Sequence, residues 1–185
     1  GSTPSIRSIN LNGVRYNSTG DKMGRGAYGT IFKYISDDGR TLALKNFGTN
    51  KYEYLKEKII SIQIAETQRD TENTISVVPT YWFENYNICG IVMHGKTSDL
   101  YNLNYEFSRM QLNNNILKVK INCIIEVIIA VRDLWRQGYW YSDLKLANVL
   151  VEKTATPYEY KVYLGDIGGI CSYKFRDVSV QTLKL

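Results

Sequence analysis

The sequence has few of the residues that would by themselves indicate a particular fold class. Its 185 residues include 3 cysteines, 3 prolines and 1 histidine. The cysteines Cys89, Cys123 and Cys171 are odd in number, widely spaced and without a Cys-x-x-Cys pair. This pattern supports neither a disulfide framework nor a zinc site. A reducing, intracellular compartment fits it best.

Long apolar runs are also missing. The most apolar run, INCIIEVIIAV at 121–131, is too short to span a bilayer and carries Asn122 and Glu126, so it predicts a buried helix and no membrane association. The N-terminus GSTPSIRSIN lacks the apolar segment of a signal peptide, and its Gly-Ser start is typical of an expression remnant.

The charge of the chain is moderately basic, with a formal net charge of +5. Its Lys and Arg residues are scattered along the sequence, which indicates a solvated surface. A nucleic-acid partner is not expected, because no cluster of basic and aromatic residues is present. A hydrophobic fraction of 44% in 185 residues is enough for one globular domain with a core.

The first half of the chain predicts strands with one helix. Alternating residues on both sides of a DDG turn at 37–39 predict a β-hairpin over 29–47. A helix is expected over 50–69, with an apolar face on Leu55, Ile59 and Ile62. Further strands are expected over 77–83 and 88–94.

The second half of the chain predicts mainly helices. A short helix is expected over 99–112 and a long one over 116–137, which ends before Gly138. Two strand-like runs follow, at 148–152 and 160–166. A β-rich half followed by an α-rich half indicates an α+β fold with a cleft between the halves.

Glycines in MGRGAYGTIF (23–32) form the first motif. Gly24, Gly26 and Gly29 give the pattern GxGxxG, and Ile31 follows two places on. Alone this pattern is weak, because glycines in hairpin turns are common. Strand-like residues follow the glycines, where a dinucleotide-binding fold would need a helix. The context favours a β-turn over phosphate groups.

The second motif is LALK (42–45), an apolar strand that ends in Lys45, sixteen residues after Gly29. A lysine on a strand is usually a solvated charge at an edge. Next to a phosphate-binding turn and in apolar surroundings, this lysine is placed to pair with phosphate oxygens.

The third motif is YSDLKLANVL (141–150), which concentrates polar chemistry in an apolar segment. Asp143 can accept the proton of an attacking hydroxyl, and Lys145 can neutralise charge on a transferred phosphoryl group. Asn148 can hold a divalent cation. The spacing D-x-K-x-x-N places all three residues on one loop.

The fourth motif is LGDIGG (164–169), with Asp166 at a strand end between glycines. A carboxylate in this position can bind Mg²⁺ together with phosphate oxygens. Taken singly, Asp143 or Asp166 could cap a helix or serve a turn. Four motifs in this order favour one phosphoryl-transfer site.

This set resembles the protein kinase superfamily over roughly residues 20–170. LALK corresponds to the VAIK-type lysine, YSDLKLAN to the HRDxKxxN loop and DIG to the DFG triplet. The resemblance implies a single domain over 1–185, with an N-lobe at about 10–94, a hinge at 94–98 and a partial C-lobe at 99–185. It implies ATP and Mg²⁺ as cofactors and a protein substrate. The D-L-K form implies transfer to Ser or Thr.

The resemblance also implies an adenine site and a partner for the lysine. The residues implied at the nucleotide are Ala43 and Leu150 around the adenine, Met93 as gatekeeper, His94 to Lys96 as hinge, and Asp99 near the ribose. Among the helix glutamates, Glu57 is our choice as the partner of Lys45. Glu53 and Glu66 stay open, because the loop after the helix has no fixed length.

The sequence departs from the kinase pattern at Tyr141 and Ser142, which replace the His-Arg before the catalytic aspartate, and at Ile167, which replaces the DFG phenylalanine. Losing the arginine matters most, because it normally pairs with a phosphorylated activation loop. Tyrosine keeps an aromatic side chain for packing.

Only nineteen residues follow Asp166. Two interpretations fit this end equally: a compact kinase with a reduced C-lobe, or a chain that stops inside the activation segment of a longer protein. A pseudokinase that binds a partner protein is the alternative to an active enzyme. For the active enzyme, an activating partner protein that completes the short C-lobe is a further expectation. The triplet YSD (141–143) and the stretch LGDIGGIC (164–171) also resemble kinases of large DNA viruses, and a minimal bacterial effector kinase is the other source considered. Either source would place the protein in a host cytoplasm.

Overall fold

The computed structural model describes residues 6–26, 29–70, 77–93 and 97–173 of the chain. By its contacts the chain divides into two compact units. The first comprises Gly1–Lys58 and Pro79–Lys96, and the second comprises Ile59–Val78 and Thr97–Leu185. The expected hinge falls largely outside the described residues, since 94–96 are not among them.

The first unit is built on an antiparallel sheet in which the described residues form six strands. The strands are β1 (Ser8–Leu11), β2 (Val14–Gly26), β3 (Gly29–Ser36), β4 (Thr41–Asn46), β5 (Tyr81–Phe83) and β6 (Ile88–Met93). Their order in the sheet is β1-β2-β3-β4-β6-β5. The side chains of one buried cluster come from β1 to β4 and β6: Ile9, Tyr16, Tyr34, Leu42, Leu44 and Ile88.

Tight turns connect β1 to β2 and β3 to β4. Asn12 and Gly13 both have positive φ, at 50° and 79°, which is the conformation of the two-residue turn that matches the twist of a hairpin. Between β3 and β4, Ser36 N donates to Arg40 O at 2.9 Å, and Gly39 has a φ of 85°. These two turns fix the register of the β1–β2 and β3–β4 pairs.

The helix α1 (Lys51–Asp70) presents Tyr54 and Glu57 as buried side chains in the first unit. The Tyr54 ring packs edge-on against Phe47 and Trp82, with ring centres 5.6 and 5.5 Å away. The sequence predicted an apolar face formed by Leu55, Ile59 and Ile62. This prediction is wrong as a description of the buried side of the helix, because all three side chains are exposed. The aromatic contacts of Tyr54 and the ion pair of Glu57 set a different rotation of the helix.

The second unit holds the end of α1 and, among its described residues, two further helices and five short strands. These elements are β7 (Thr97–Asp99), α2 (Leu100–Ser108), α3 (Asn114–Arg136), β8 (Tyr139–Tyr141), β9 (Val149–Lys153), β10 (Tyr160–Leu164) and β11 (Ile170–Ser172). One antiparallel sheet has the order β10-β9-β7, and β8 pairs with β11 in another.

The long helix α3 is buried on one side only. Asn113 caps its start by accepting a hydrogen bond from Ile116 N at 2.9 Å. The residues of its buried side include Ile116, Val119, Cys123, Ala130 and Leu134. The expectation of a buried helix over 121–131 is wrong, because one face packs on β8 and β10 while five isoleucines are exposed: Ile121, Ile124, Ile125, Ile128 and Ile129. No helix among the described residues is long and apolar enough to cross a membrane.

Two elements are shorter in the structure than the sequence predicted. The strand expected over 77–83 shrinks to β5, because Pro79 has no N–H to donate to a ladder. Val77 instead forms an isolated bridge with Leu164. The helix expected from Asp99 begins one residue later, and Asp99 Oδ1 caps it by accepting from Asn102 N at 2.7 Å.

Candidate active site

Lys45 and Glu57 form an ion pair in the first unit. Lys45 Nζ on β4 lies 2.7 Å from Glu57 Oε1 on α1, and 15% of the lysine and 3% of the glutamate side chain are exposed. Each charge stabilises the other where water is scarce. Lys45 Nζ also lies 4.9 Å from the centre of the Phe47 ring. The glutamate chosen from the sequence makes this contact.

The glycine motif lies on β2 and β3, on either side of residues 27 and 28, which are outside the described residues. Gly24, Ile31 and Lys45 are register partners across three neighbouring strands, and Gly26 is paired with Gly29. The motif is therefore continuous with the strand that carries the lysine.

Two glycines of this motif differ in the space around them. A Cβ on Gly29 would lie 2.8 Å from Asn46 O and 3.2 Å from Lys45 Cγ. Any side chain there would push against backbone. A Cβ on Gly24 would meet nothing within 4 Å. Gly29 is thus required for the close approach of β3 to β4, while the side of Gly24 is open.

The structure describes two of the residues of the first unit that were expected at the adenine site, Ala43 and Met93. Ala43 is buried on β4, in register with Ile91. Met93 is the last residue of β6, opposite Thr41. The expected hinge residues His94 and Lys96 lie outside the described residues.

Asp143, Lys145 and Asn148 lie close together in the second unit, on the Asp143 loop (residues 142–148) between β8 and β9. Asp143 Oδ2 is 3.1 Å from Lys145 Nζ. Asn148 Nδ2 donates to Asp143 O at 2.9 Å and to Asp143 Oδ2 at 3.3 Å. Asn148 N donates to Lys145 O at 2.9 Å. A solvent-exposed carboxylate is thus held by an ammonium and an amide.

Asp166 lies on the Asp166 turn (residues 165–169), which follows β10. Its φ of 50° and ψ of 71° place it in the left-handed region, which costs a non-glycine residue about 1–3 kcal/mol. Gly165 N donates to Asn148 O at 2.8 Å, so the turn is bonded to the end of the Asp143 loop. Outliers of this kind concentrate at functional sites.

Tyr141 and Ser142 also connect the loop to the turn, a role that the sequence did not reveal. The buried Tyr141 donates its hydroxyl proton to Gly165 O. Ser142 donates to Gly169 O from N at 2.7 Å and from Oγ at 2.9 Å. The only signal in the sequence was that the two residues replace the His-Arg pair of the kinase pattern.

Leu150 and Asp99, both expected at the nucleotide, are register partners across β9 and β7. Leu150 is half-buried, and its Cγ would lie 3.5 Å from a Cβ added to Gly165. Both carboxylate oxygens of Asp99 accept hydrogen bonds from Asn102, at 2.7 and 2.9 Å. A ribose contact of Asp99 would therefore share a carboxylate that already caps α2.

The donors near Asp166 fit a hard divalent cation. The side-chain NH₂ of Asn148 points to Asp143, which leaves its Oδ1 as the end that can act as a ligand, and Asp166 supplies an exposed carboxylate. Among the described residues, no group of three or more His, Cys, Asp and Glu side chains could hold a metal ion. A cation held by one amide and one carboxylate would take its other ligands from phosphate and water.

Both the sequence and the fold resemble known proteins. The family model described as "Protein kinase domain" matches residues 17–181. Mitogen-activated protein kinase kinase kinase 3 of Arabidopsis thaliana is 25% identical over 173 residues, which are 86% of this chain and 27% of that protein. This chain thus spans about a quarter of the length of its plant relative.

Among solved structures, the crystal structure of the BubR1 kinase domain matches with a TM-score of 0.66 at 20% identity, over 96% of this chain and 54% of that chain. An identity this low shows the fold alone. The α+β kinase-like fold expected from the sequence is confirmed, with a β-rich first unit and a small second unit that carries helices.

Proposed function

Because the chain belongs to the protein kinase family, we propose that it is an active serine/threonine kinase that transfers the terminal phosphoryl group of ATP to protein hydroxyls. The observation that carries this proposal is the Asp143 loop, in which the Asp143 carboxylate contacts both the Lys145 ammonium and the Asn148 amide, and whose last carbonyl, Asn148 O, accepts from Gly165 N of the Asp166 turn. Phosphoryl transfer requires mainly positioning and charge stabilisation from a protein. These contacts supply both.

Asp143 is the residue that we assign as the base. Its exposed carboxylate can orient the substrate hydroxyl and accept its proton. Asn148 donates to the backbone and the carboxylate of Asp143, which limits the directions in which that side chain can turn. Lys145, 3.1 Å from Asp143 Oδ2, can neutralise charge on the transferred group.

ATP and a divalent metal are used by protein kinases in general, and we propose Mg²⁺ as the metal here. Asn148 and Asp166 would hold it. When bound, the ion supplies positive charge that neutralises the phosphate oxygens. The chain's own contribution is the amide of Asn148, oriented by its bond to Asp143, and the carboxylate of Asp166 on its constrained turn.

Lys45 is the residue that we assign to the phosphates in the first unit. Its ammonium is held 2.7 Å from Glu57, and its register partner Ile31 lies next to Gly24. A lysine fixed in this way offers charge-assisted hydrogen bonds to phosphate oxygens without first losing side-chain freedom.

The preference for Ser and Thr rests on Lys145, two residues after Asp143, as in serine/threonine kinases. The plant relative is named as a mitogen-activated protein kinase kinase kinase, which supports a protein substrate. We further propose an intracellular location and an activating partner protein. A viral source stays a prediction from the sequence.

The test is a phosphorylation assay with labelled ATP, Mg²⁺ and a mixed protein extract, followed by acid hydrolysis to identify the phosphorylated amino acid. We expect phosphoserine and phosphothreonine. Asp143→Asn should remove nearly all of the signal, and the exposed Asp37→Asn in the β3–β4 turn is the matched control that should keep it.

The outcomes separate the active kinase from a pseudokinase. Nucleotide binding without any Asp143-dependent transfer would replace the proposal with a pseudokinase that binds a partner. Transfer to tyrosine alone would overturn the Ser/Thr preference and leave the kinase activity in place.

A further inference from the structure

Three residues of the first unit form a row across neighbouring strands of the sheet. Lys45 on β4 is the register partner of Cys89 on β6, and Cys89 is also the register partner of Trp82 on β5. Residues that pair directly in an antiparallel sheet point to the same face of it. Phe47, two residues after Lys45, is buried in one cluster with Cys89. Lys45 therefore has two aromatic residues as neighbours in this part of the sheet.

α1 places a third aromatic residue between these two. The centre of the Tyr54 ring lies 5.6 Å from that of Phe47 and 5.5 Å from that of Trp82, with interplanar angles of 79° and 70°. Both contacts are edge-on, which is a preferred geometry of aromatic pairs. The rings of Phe47 and Trp82 are themselves 6.5 Å apart. These three residues, the aromatic cluster, therefore join α1 to the sheet.

The aromatic cluster meets the Lys45–Glu57 ion pair from two sides. Glu57 follows Tyr54 by three residues, so their side chains lie on the same side of α1, and 3% of each residue is exposed. On the other side, Lys45 Nζ lies 4.9 Å from the centre of the Phe47 ring, within the range of a cation–π contact. Tyr54 thus fixes the turn of α1 that carries the carboxylate, and Phe47 contacts the ammonium directly.

The ring of Tyr54 makes these contacts, and its hydroxyl does not. Tyr54 Oη is buried, and it has no hydrogen-bond partner among the described residues. A buried hydroxyl without a partner does not stabilise a fold. Phenylalanine at this position should therefore serve as well as tyrosine, whereas a side chain without a ring should not.

We propose that Tyr54 and Phe47 are positioning residues that set where Lys45 presents its ammonium to phosphate oxygens. The role rests on the proposed function, because it concerns the lysine assigned there to the phosphates. Tyr54 acts through Glu57, and Phe47 acts through its cation–π contact. Trp82 is the wall against which Tyr54 packs.

The test uses two variants that remove a ring, Tyr54→Leu and Phe47→Leu, in the full 185-residue chain. Tyr54→Phe keeps the ring and should rescue the first of them. Tyr52→Leu is the control on α1, since Tyr52 is 69% exposed. Phe83→Leu is the control for Phe47, because Phe83 packs against a different buried cluster of the same unit. Circular dichroism checks that each variant is folded.

Two measurements are made on each variant. Timed acetylation of lysines, followed by mass spectrometry, reports how firmly the Lys45 ammonium is held without any nucleotide, with the exposed Lys161 as the internal reference. Calorimetry with Mg²⁺-ATP and with adenosine, which has no phosphate, separates the part of binding that needs the phosphates. Neither measurement depends on catalytic turnover.

We expect Tyr54→Leu to speed acetylation of Lys45 and to weaken Mg²⁺-ATP binding, each by roughly threefold to tenfold, which is the scale of one lost aromatic pair. Phe47→Leu should act in the same direction, because it removes the cation–π contact as well as a ring of the cluster. Adenosine binding should not change. Tyr54→Phe, Tyr52→Leu and Phe83→Leu should change neither measurement.

Unchanged acetylation of Lys45 in Tyr54→Leu and Phe47→Leu would overturn the proposal. Equal losses of affinity for Mg²⁺-ATP and for adenosine would overturn it as well, since the effect would then not concern the phosphates. A Tyr54→Phe variant as impaired as Tyr54→Leu would show that the hydroxyl and not the ring is required. If the unmutated chain bound no Mg²⁺-ATP, the proposed function would fail, and acetylation alone would decide whether the aromatic cluster holds the ammonium.

Discussion

Lys45 Nζ and Glu57 Oε1 lie 2.7 Å apart in a place where almost none of the glutamate is exposed to water. The pair connects the central strand β4 to α1 in the first unit. Removing one member of a buried pair costs more than the pair contributes, because a charge stays behind in poorly solvated surroundings. The pair therefore matters for the stability of the first unit, apart from the role proposed for Lys45 at the phosphates.

Lys45→Met should lower the free energy of unfolding by about 3 kcal/mol, since it removes the cation next to a buried carboxylate. Urea denaturation measures this change. Lys58→Met is the matched control: Lys58 pairs with Glu84, whose side chain is 76% exposed, and exposed pairs contribute little. Equal losses in the two variants would contradict the special position of Lys45.

Gly29→Ala should destabilise the first unit by about 1–3 kcal/mol, because the new Cβ would lie 2.8 Å from Asn46 O and force β3 away from β4. Gly24→Ala should change stability little, since nothing lies within 4 Å of the added methyl group. Thermal unfolding of both variants checks the difference. A larger loss at Gly24 would show that the close contact at Gly29 is not limiting.

Asp143→Asn should reduce phosphoryl transfer by roughly 10²–10⁴-fold and leave Mg²⁺-ATP affinity nearly unchanged. Asp166→Asn should weaken Mg²⁺-ATP binding itself, because it removes a carboxylate from the cation site. Calorimetry and the labelled-ATP assay, run on the same preparations, check both effects. Similar losses of affinity in the two variants would contradict the separate roles.

The strands that the sequence predicted are those with regular alternation, such as β3 and β4. β1 and β2 were not predicted, although Asn12-Gly13 between them is a hairpin signal. β2 is polar at its centre and has register shifts between Ser18 and Gly24, which hide its alternation. β8 and β11 have three residues each and pair over a long sequence distance, so local patterns do not reveal them.

Helix positions were predicted better than helix orientation. α1 carries apolar residues on more than one side, so periodicity alone selected Leu55 and Ile59, which are exposed. The contacts that orient the helix involve Tyr54 and Glu57, a polar aromatic and a charged residue that an apolar pattern does not include. Tertiary contacts outweighed the local pattern.

The predictable part of the candidate site is the part whose functional residues lie close together in the sequence. Asp143 and Asn148 come from one loop, and their contacts follow from that spacing. By contrast, Tyr141 bonds to Gly165 O and Ser142 bonds to Gly169 O, and these contacts join segments more than twenty residues apart. Nothing in the local sequence indicates such a partner.

Labelling of the cysteines should be selective. Burial raises the pKa of the Cys123 thiol, so less of its reactive thiolate forms near neutral pH. Cys171 is only half-buried and should react first with a thiol reagent. Mass spectrometry after timed alkylation identifies the order, with the urea-unfolded chain as control. Faster labelling of Cys123 than of Cys171 in the folded chain would contradict the burial of α3 on this side.

Ser142 also leads to a prediction about regulation. An arginine before the catalytic aspartate places a positive charge that a phosphate on the activation segment can neutralise. Ser142 is neutral, and its Oγ already donates to Gly169 O. Ser172 offers a phosphate little room, because its Oγ is buried. The other hydroxyl residues after Asp166 at which a phosphate could be placed include Ser179 and Thr182, and both lie outside the described residues.

The proposed kinase should therefore need no phosphate on its activation segment, and it should be either constitutively active or switched by a partner protein. Phosphatase-treated protein, untreated protein and the Ser172/Ser179/Thr182 triple alanine variant should transfer phosphate at similar rates in one assay. The reason is that the turn is held by neutral hydrogen bonds, so a phosphate has no buried charge to neutralise. The phosphatase is removed before ATP is added, and mock-treated protein is the control. Activity that disappeared on dephosphorylation and returned when those three residues were phosphorylated again would show that the neutral hydrogen bonds of Tyr141 and Ser142 do not replace the phosphate.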